Sequence, residues 1–265
     1  MQTPRSAAID AALEAGRIIR HHLGELDHID YKGEIDIVTV ADHEAEAAVL
    51  EHLSSAFPDF GVLAEESGKR ESSNGSSSRW VVDPLDGTTN FANANPHVCV
   101  SIALERDGKV ILGVVYDPIL DELFVAERGA GAHINGKRLA VTKTSVFLQT
   151  MLATGFPYDL QKRHENLERF QHFTHLTRAV RRVGAAALDL CYVAAGRFDG
   201  FWEAGLQPWD AAAGSLMVLE AGGTVTDYYG DEYWIEAPGI IATNGLIHEH
   251  LLDGLKPNLV ESGES

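Results

Sequence analysis

Cysteine is nearly absent from this chain: two in 265 residues, far below the density of a disulfide-stapled scaffold. Both, Cys99 and Cys191, stand among apolar neighbours and read as buried thiols of a reducing compartment. Long hydrophobic runs are missing too. No apolar stretch approaches the ~18–20 residues that a membrane-spanning helix needs. Asp10 and Glu14 break the stretch where a secretory signal would have to be apolar, so a cytoplasmic protein with no membrane attachment is expected. Basic residues are scarce: 21 Lys and Arg face 39 Asp and Glu, a formal charge of −18. Such a surface repels phosphate backbones and disfavours direct nucleic-acid binding. It equally repels small phosphorylated metabolites, unless cations invert the local field. Disordered and collagen-like classes are excluded by composition, which supplies enough apolar residues for a proper core.

No internal repeat is present, and the low-complexity stretch Ser67–Ser78 predicts a mobile surface loop. Thr3 and Pro4 open a first helix, with Ile9, Ala12, Leu13, Gly16, Ile19 and Leu23 on one stripe. A second helix starts near Thr39–Asp42, carries Ala45, Ala48, Val49, Leu53, Ala56 and Phe57, and stops at Pro58. A short strand then runs into the acidic pair Glu65–Glu66. Trp80–Val82 predicts a buried strand ended by Asp83-Pro84. Strands over Val98–Leu104 and Val110–Tyr116 flank the hairpin signal Asp107-Gly108, and Leu123–Ala126 extends the meander to the tight turn Asn135-Gly136. The last third alternates. Strands are expected at Met151–Thr154, Phe201–Glu203, Thr224–Asp227 and Ile240–Thr243. Helices are expected at His164–Leu176 (packing through Leu167, Phe170 and Phe173), Ala185–Ala195, Asp210–Glu220 and His248–Leu255. Helices layered on sheets, a mixed α and β fold, follow from this pattern.

Chemistry concentrates in Asp83-Pro84-Leu85-Asp86-Gly87-Thr88-Thr89-Asn90-Phe91. A strand delivers Asp83 at its C-terminal end, Pro84 fixes the turn, and Asp86 follows three positions later. Two carboxylates and the Leu85 carbonyl are hard oxygen ligands suited to Mg²⁺ or Mn²⁺. Gly87 lets the backbone approach a ligand closely. From Thr88 onward a helix start offers free N–H groups to a phosphate. The alternative is a plain turn, which Asp and Gly favour anyway. Nine residues in this order point instead to metal ligands beside an anion cradle, as phosphoryl transfer requires.

These residues resemble the signature of the inositol monophosphatase family, within the lithium-sensitive, metal-dependent phosphatase superfamily. The likeness extends to Leu63–Ser67 upstream, Thr154–Tyr158 and Ala186–Leu190 in the second half, and Trp209–Gly214 with Glu220–Gly223 downstream. It implies an α+β fold, a layered αβαβα sandwich like that of fructose-1,6-bisphosphatase, with an N-terminal half over 1–145 and a C-terminal half over 146–265. By resemblance, Glu65, Asp83 and the Leu85 carbonyl hold a first ion, and Asp83, Asp86 and Asp210 a second. Glu65 holds a weaker third. Thr88, hydrogen-bonded to Asp42, orients and helps deprotonate the attacking water, with Glu65 beside it. The backbone at Gly87 and Thr88 grips phosphate. Glu203, Arg181, Ala185 and Ala186 face the alcohol portion of the substrate, with Asp86, Leu85 and Asp210 nearby. Lys32 and Asp36 lie in a mobile loop, Lys32-Gly33-Glu34-Ile35-Asp36, that closes over the ions. Homodimerisation and lithium inhibition are likewise implied.

Elementary electrostatics agrees with that assignment. Four carboxylates repel a dianionic phosphate, whereas two or three divalent ions turn the pocket neutral or positive. Blander roles stand beside the catalytic ones: Asp42 as a first-turn helix acid, Glu203 as an ion-pair partner, Arg181 and Arg182 as counterweights to an acidic surface. Ala185 stands where the family often has Ser or Thr, so no side-chain hydroxyl reaches the substrate there. The expected reaction is Mg²⁺-dependent release of phosphate from a small polyol or sugar phosphate, foremost inositol monophosphate. Fructose 1,6-bisphosphate, histidinol phosphate and NADP or 3′-phosphonucleotides are the alternatives. The rival class is a protein-interaction role, tested by whether Asp83→Asn abolishes function.

Overall fold

A computed structural model describes residues 2–26, 28–33, 35–157 and 163–256; Glu34 and Tyr158 therefore lie outside the described residues. Thr3 accepts a hydrogen bond from the Ser6 N–H at 3.1 Å, and Pro4 occupies the first turn, opening α1 (Pro4–His22). The short strands β1 (Asp30–Tyr31) and β2 (Ile37–Val38) pair antiparallel before α2 (Val40–Ala56). One large sheet follows, made of β3 (Gly61–Ala64), β4 (Gly68–Arg70), β5 (Ser78–Asp86), β6 (Cys99–Arg106), β7 (Lys109–Asp117), β8 (Glu122–Glu127), β9 (Gly131–Ile134) and β10 (Lys137–Arg138). Its order is β10-β9-β8-β7-β6-β5-β3-β4, antiparallel except between β3 and β5. The short helix α3 (Thr88–Ala92) leaves the end of β5.

A second sheet has five strands in the order β12-β11-β13-β15-β14. Its elements are β11 (Met151–Thr154), α4 (Arg163–Leu176), β12 (Ala179–Arg181), α5 (Ala186–Ala194), β13 (Gly200–Ala204), α6 (Pro208–Glu220), β14 (Thr224–Thr226), β15 (Gly239–Thr243) and α7 (His248–Leu255). Helices α1 and α2 cover the outer face of the large sheet, α5 and α6 fill the space between the sheets, and α4 and α7 cover the far side. Five layers, αβαβα, result. The middle layer matters most for function, because α5 and α6 start beside the end of β5.

Both hairpin signals are realised. Asp107 (φ 52°) with Gly108 (φ 74°), and Asn135 (φ 47°) with Gly136 (φ 78°), are left-handed pairs that match the twist of their strands. Elsewhere the structure corrects the expectation. Strand β5 does not end at Asp83-Pro84; it runs on to Asp86. A register shift between Asp83 and Asp86 absorbs the missing proline N–H, and pairing resumes at Asp86 with Cys99. The serine-rich stretch is not loop throughout, since Gly68–Arg70 form an edge strand on β3 through backbone groups alone. Leu13 is 39% exposed, because α1 packs through Ala8, Ala12, Ala15 and Gly16, so close that a β-carbon on Gly16 would overlap the Tyr116 ring. Leu167 is 54% exposed, and α4 buries Asn166 instead. Edge strand β12 carries no apolar run and went unanticipated.

Candidate active site

Asp83, Leu85, Asp86 and Gly87 lie along the end of β5, where the register shift turns consecutive groups toward one side. Asp83 Oδ1 accepts the Leu85 N–H at 3.0 Å, a two-residue loop that fixes the carboxylate. Asp86 Oδ2 accepts the Ala187 N–H at 2.7 Å from the first turn of α5. It also faces the Cys99 thiol at 3.7 Å. On α6, Asp210 Oδ2 accepts the Gln207 N–H at 2.7 Å, a capping contact at the helix start. Glu65 follows β3, and its own N–H reaches the Val82 carbonyl at 3.2 Å. The turn after it is tied down by a buried acid absent from the sequence-level candidates: Glu46 of α2 accepts the N–H groups of Glu66 and Ser67, each at 2.8 Å. Asp83, Asp86 and Asp210 thus each commit one oxygen to the backbone. Among the described residues, Asp86 Oδ1 and Asp210 Oδ1 have no hydrogen-bond donor.

Asp42 and Thr88 meet as expected from the resemblance. The Thr88 hydroxyl donates to Asp42 Oδ1 at 3.0 Å or to the Leu85 carbonyl at 3.1 Å. Asp42 Oδ2 accepts from the Thr39 N–H at 2.8 Å and the Thr39 hydroxyl at 2.7 Å, which clamps it. Gly87 precedes α3 with φ 92°, a backbone state that glycine adopts freely. A β-carbon there would also stand 2.9 Å from the His97 carbonyl and 3.3 Å from the Ala185 methyl, so the cradle has no room for a side chain.

Beside these acids is a cavity lined by Asp86, Gly155, Arg182, Ala186, Glu203 and Asp210, with Ala185 and Asp189 also on its wall. A β-carbon on Gly155 would overlap the Glu203 carboxylate and displace it. Arg181 does not line this cavity. It is exposed, with Nη1 3.3 Å from the Val180 carbonyl. Arg182, the first residue past the end of β12, lines the cavity in its place. Asp36 accepts the Lys32 N–H with its backbone carbonyl at 2.8 Å, and the Lys32 ammonium reaches Glu65 at 3.0 Å and Glu66 at 2.5 Å. A roomier cavity of about 250 Å³ beside Tyr233–Ile235 holds none of these carboxylates, so cavity size alone does not locate the chemistry.

Charge crowding marks the site. Burial pushes the Glu65 carboxyl up to about 7, although Lys32 pulls it back. Burial likewise raises Asp86 to about 6, against the opposing Ala187 N–H. Asp83 and Asp210 lie well above the usual carboxylate range, through burial and then through repulsion from neighbouring acids. Glu203 is raised by burial and by Asp210, with Arg182 opposing. Asp42 is raised by burial despite its three hydrogen bonds. Four acids with one adjacent ammonium form a site short of positive charge, which fits divalent cations. Among the described residues, no three His, Cys, Asp or Glu are disposed to hold an ion by themselves. An ion held here would therefore also need backbone carbonyl or water ligands.

Sequence comparison agrees with this geometry. Residues 1–262 match the inositol monophosphatase family. An inositol-1-monophosphatase of Mesorhizobium japonicum is 44% identical over 254 residues, 95% of either chain. The Nus factor SuhB of Pseudomonas aeruginosa is 41% identical over 99% of both. The crystal structure of extragenic suppressor protein suhB from Bartonella henselae superposes with a TM-score of 0.92 at 44% identity, covering 96% of this chain and 99% of that one. The chain belongs to the inositol monophosphatase family and is a phosphoric monoester hydrolase.

Proposed function

We propose that the protein hydrolyses inositol monophosphate, or a closely similar polyol phosphate, with two or three Mg²⁺ ions that Mn²⁺ can replace. The observation that carries this reading is the meeting of Glu65, Asp83, Asp86 and Asp210, from three separate segments, beside the Thr88–Asp42 hydrogen bond. Glu65, Asp83 and the Leu85 carbonyl would hold one ion, Asp83, Asp86 and Asp210 the next, and Glu65 a third. When bound, magnesium supplies positive charge that acidifies water and neutralises phosphoryl oxygens.

The chain's own residues do the rest. The Thr88 hydroxyl accepts a proton from the attacking water as it passes its own to Asp42 Oδ1, 3.0 Å away. Burial keeps Asp42 a better proton acceptor than an exposed aspartate. The backbone at Gly87 and Thr88, at the start of α3, faces the phosphate. Glu203 accepts hydrogen bonds from substrate hydroxyls, with Arg182 rather than Arg181 at the rim. Lithium inhibition, homodimerisation and a cytoplasmic setting accompany this reading.

Phosphate release from inositol 1-phosphate, fructose 1,6-bisphosphate, histidinol phosphate, NADP and 3′-phosphonucleotides, each with Mg²⁺ and with chelator, tests it. The inositol ester should be turned over fastest and chelator should abolish release. Thr88→Ala should lower kcat about 10²-fold or more, the scale of one proton-transfer group. Absence of turnover of every ester with Mg²⁺ or Mn²⁺ would refute the reading, and a faster non-inositol ester would reassign the substrate.

A further inference from the structure

On the wall of the cavity stands a buried acid that the reaction above does not use. Asp189, on α5, is 1% exposed, and its Oδ1 makes no hydrogen bond. Facing it is the His97 imidazole, whose Nε2 lies 3.4 Å from Oδ1 and is itself unsatisfied. Two buried polar atoms left facing each other call for an explanation, since buried polar groups are normally satisfied. The His97 ring also stands edge-on to Tyr192 at 5.6 Å, and Tyr192 lies under the Arg197 guanidinium at 4.5 Å. Arg197 in turn makes a two-pronged ion pair with Glu122, both contacts at 2.6 Å. The ring of His97 is therefore fixed on its α5 side.

Its backbone faces the other way. The His97 carbonyl accepts from the Asn90 side chain at 2.9 Å, and the same amide nitrogen donates to Val183 at 2.9 Å. That carbonyl also bounds Gly87, the residue whose missing side chain opens the cradle. One residue thus touches the phosphate cradle with its carbonyl and the opposite wall with its ring.

We propose that His97 and Asp189 form a positioning pair, which sets the spacing between the Gly87–Thr88 cradle and the Ala185–Ala187 start of α5. This rests on the phosphatase reading above. The Nε2–Oδ1 contact holds the His97 loop onto α5, and the His97 carbonyl carries that restraint to Asn90 and Gly87. Small displacements of a held phosphate cost large factors in rate, up to ~10² for about 1 Å. The pair therefore acts on kcat more than on KM.

The test uses His97→Phe, which keeps a ring against Tyr192, Asp189→Leu, the double variant, and His97→Gln, whose amide nitrogen replaces Nε2. Each single variant should lower kcat about tenfold with KM within about threefold, and the double variant should be no worse than the poorer single. His97→Gln should lie within about threefold of the parent. Hydrogen exchange by mass spectrometry should rise in residues 87–91 and 184–187 of both single variants and not in α1 or α7. Multiplied losses in the double variant, unchanged kcat, or exchange that rises everywhere or nowhere would overturn the pairing. A parent that hydrolyses no phosphomonoester defeats the phosphatase reading alone, and the exchange pattern then decides the pair by itself.

Discussion

Replacing Asp83 with asparagine should make the metal-free protein more stable while abolishing its activity. The reason lies in the crowding of acids around Asp83, which the isosteric amide relieves while keeping an oxygen to accept the Leu85 N–H. A carboxyl raised in the folded state holds a proton that the unfolded chain gives up. Its contribution to stability is complete below the unfolded value and is lost as pH rises through the folded one. Lifting Glu65 from 4.5 to about 7 costs its ionised form about 3 kcal/mol, at 1.36 kcal/mol per pH unit. Lifting Asp86 from 3.8 to about 6 costs a similar amount. In chelator, parent stability should therefore fall between about pH 4 and 7 through these groups. His248, lowered by burial against Thr226 and Thr243, opposes the trend by losing stability as pH drops below 6.5. It is common to both proteins and cancels in their difference. Asp83→Asn should exceed the parent by about 1–3 kcal/mol at pH 7.5, several degrees in Tm, and the gap should shrink toward pH 5. Addition of Mg²⁺ should reverse the order. Urea unfolding in chelator across pH 5–8 measures both curves. A metal-free Asp83→Asn protein less stable than the parent at pH 7.5, or a gap independent of pH, would refute the reasoning.

Gly155→Ala should lower kcat/KM on inositol 1-phosphate at least tenfold, because the added methyl overlaps the Glu203 carboxylate. An unaffected kcat/KM in a steady-state assay would show that Glu203 has no part in binding. At Gly113, a β-carbon would stand 2.8 Å from the Ala213 carbonyl oxygen and 3.1 Å from its α-carbon, prising α6 from β7. Gly113→Ala should cost about 1–3 kcal/mol in urea unfolding and, since α6 carries Asp210, weaken Mg²⁺ binding by calorimetry.

Local chemistry made some parts of this molecule legible in sequence and left others hidden. Turn pairs such as Asp107-Gly108 and the Thr3-Pro4 start state their geometry in two residues, and the structure reproduces them. The fold class followed from the alternation of periods and from family resemblance together. The place of Leu13 on α1 did not, although the rest of the expected stripe packs inward. A hydrophobic-stripe reading favours large side chains, whereas a helix pressed against Tyr116 and α2 buries alanine and glycine and turns Leu13 outward. Nor could a list of residues separate Arg181 from Arg182, because where β12 ends, at Arg181, decides which of the two neighbours borders the cavity. Glu46 drew no expectation from the sequence. Its role in holding the turn after Glu65 arises from a contact twenty residues away, and no local pattern marks it.

The fixing of the acids explains how so unfavourable a cluster survives at all. Asp83, Asp86 and Asp210 each receive a backbone N–H, and Asp42 receives one from Thr39. These donors come from a strand turn and from the starts of three helices; those of Leu85, Ala187 and Thr39 are buried, and that of Gln207 is exposed. Repulsion among the carboxylates therefore cannot relax by rotation without abandoning a backbone N–H, which for the buried ones carries its own penalty. Remaining relief comes from protons, from the Lys32 ammonium, or from cations of higher charge. Of these, a divalent ion carries the most charge into the smallest volume, and oxygens held in place need little rearrangement to receive it. The instability of the empty cluster and its capacity to gather metal beside a phosphate are then one property, set by how rigidly the backbone holds each acid.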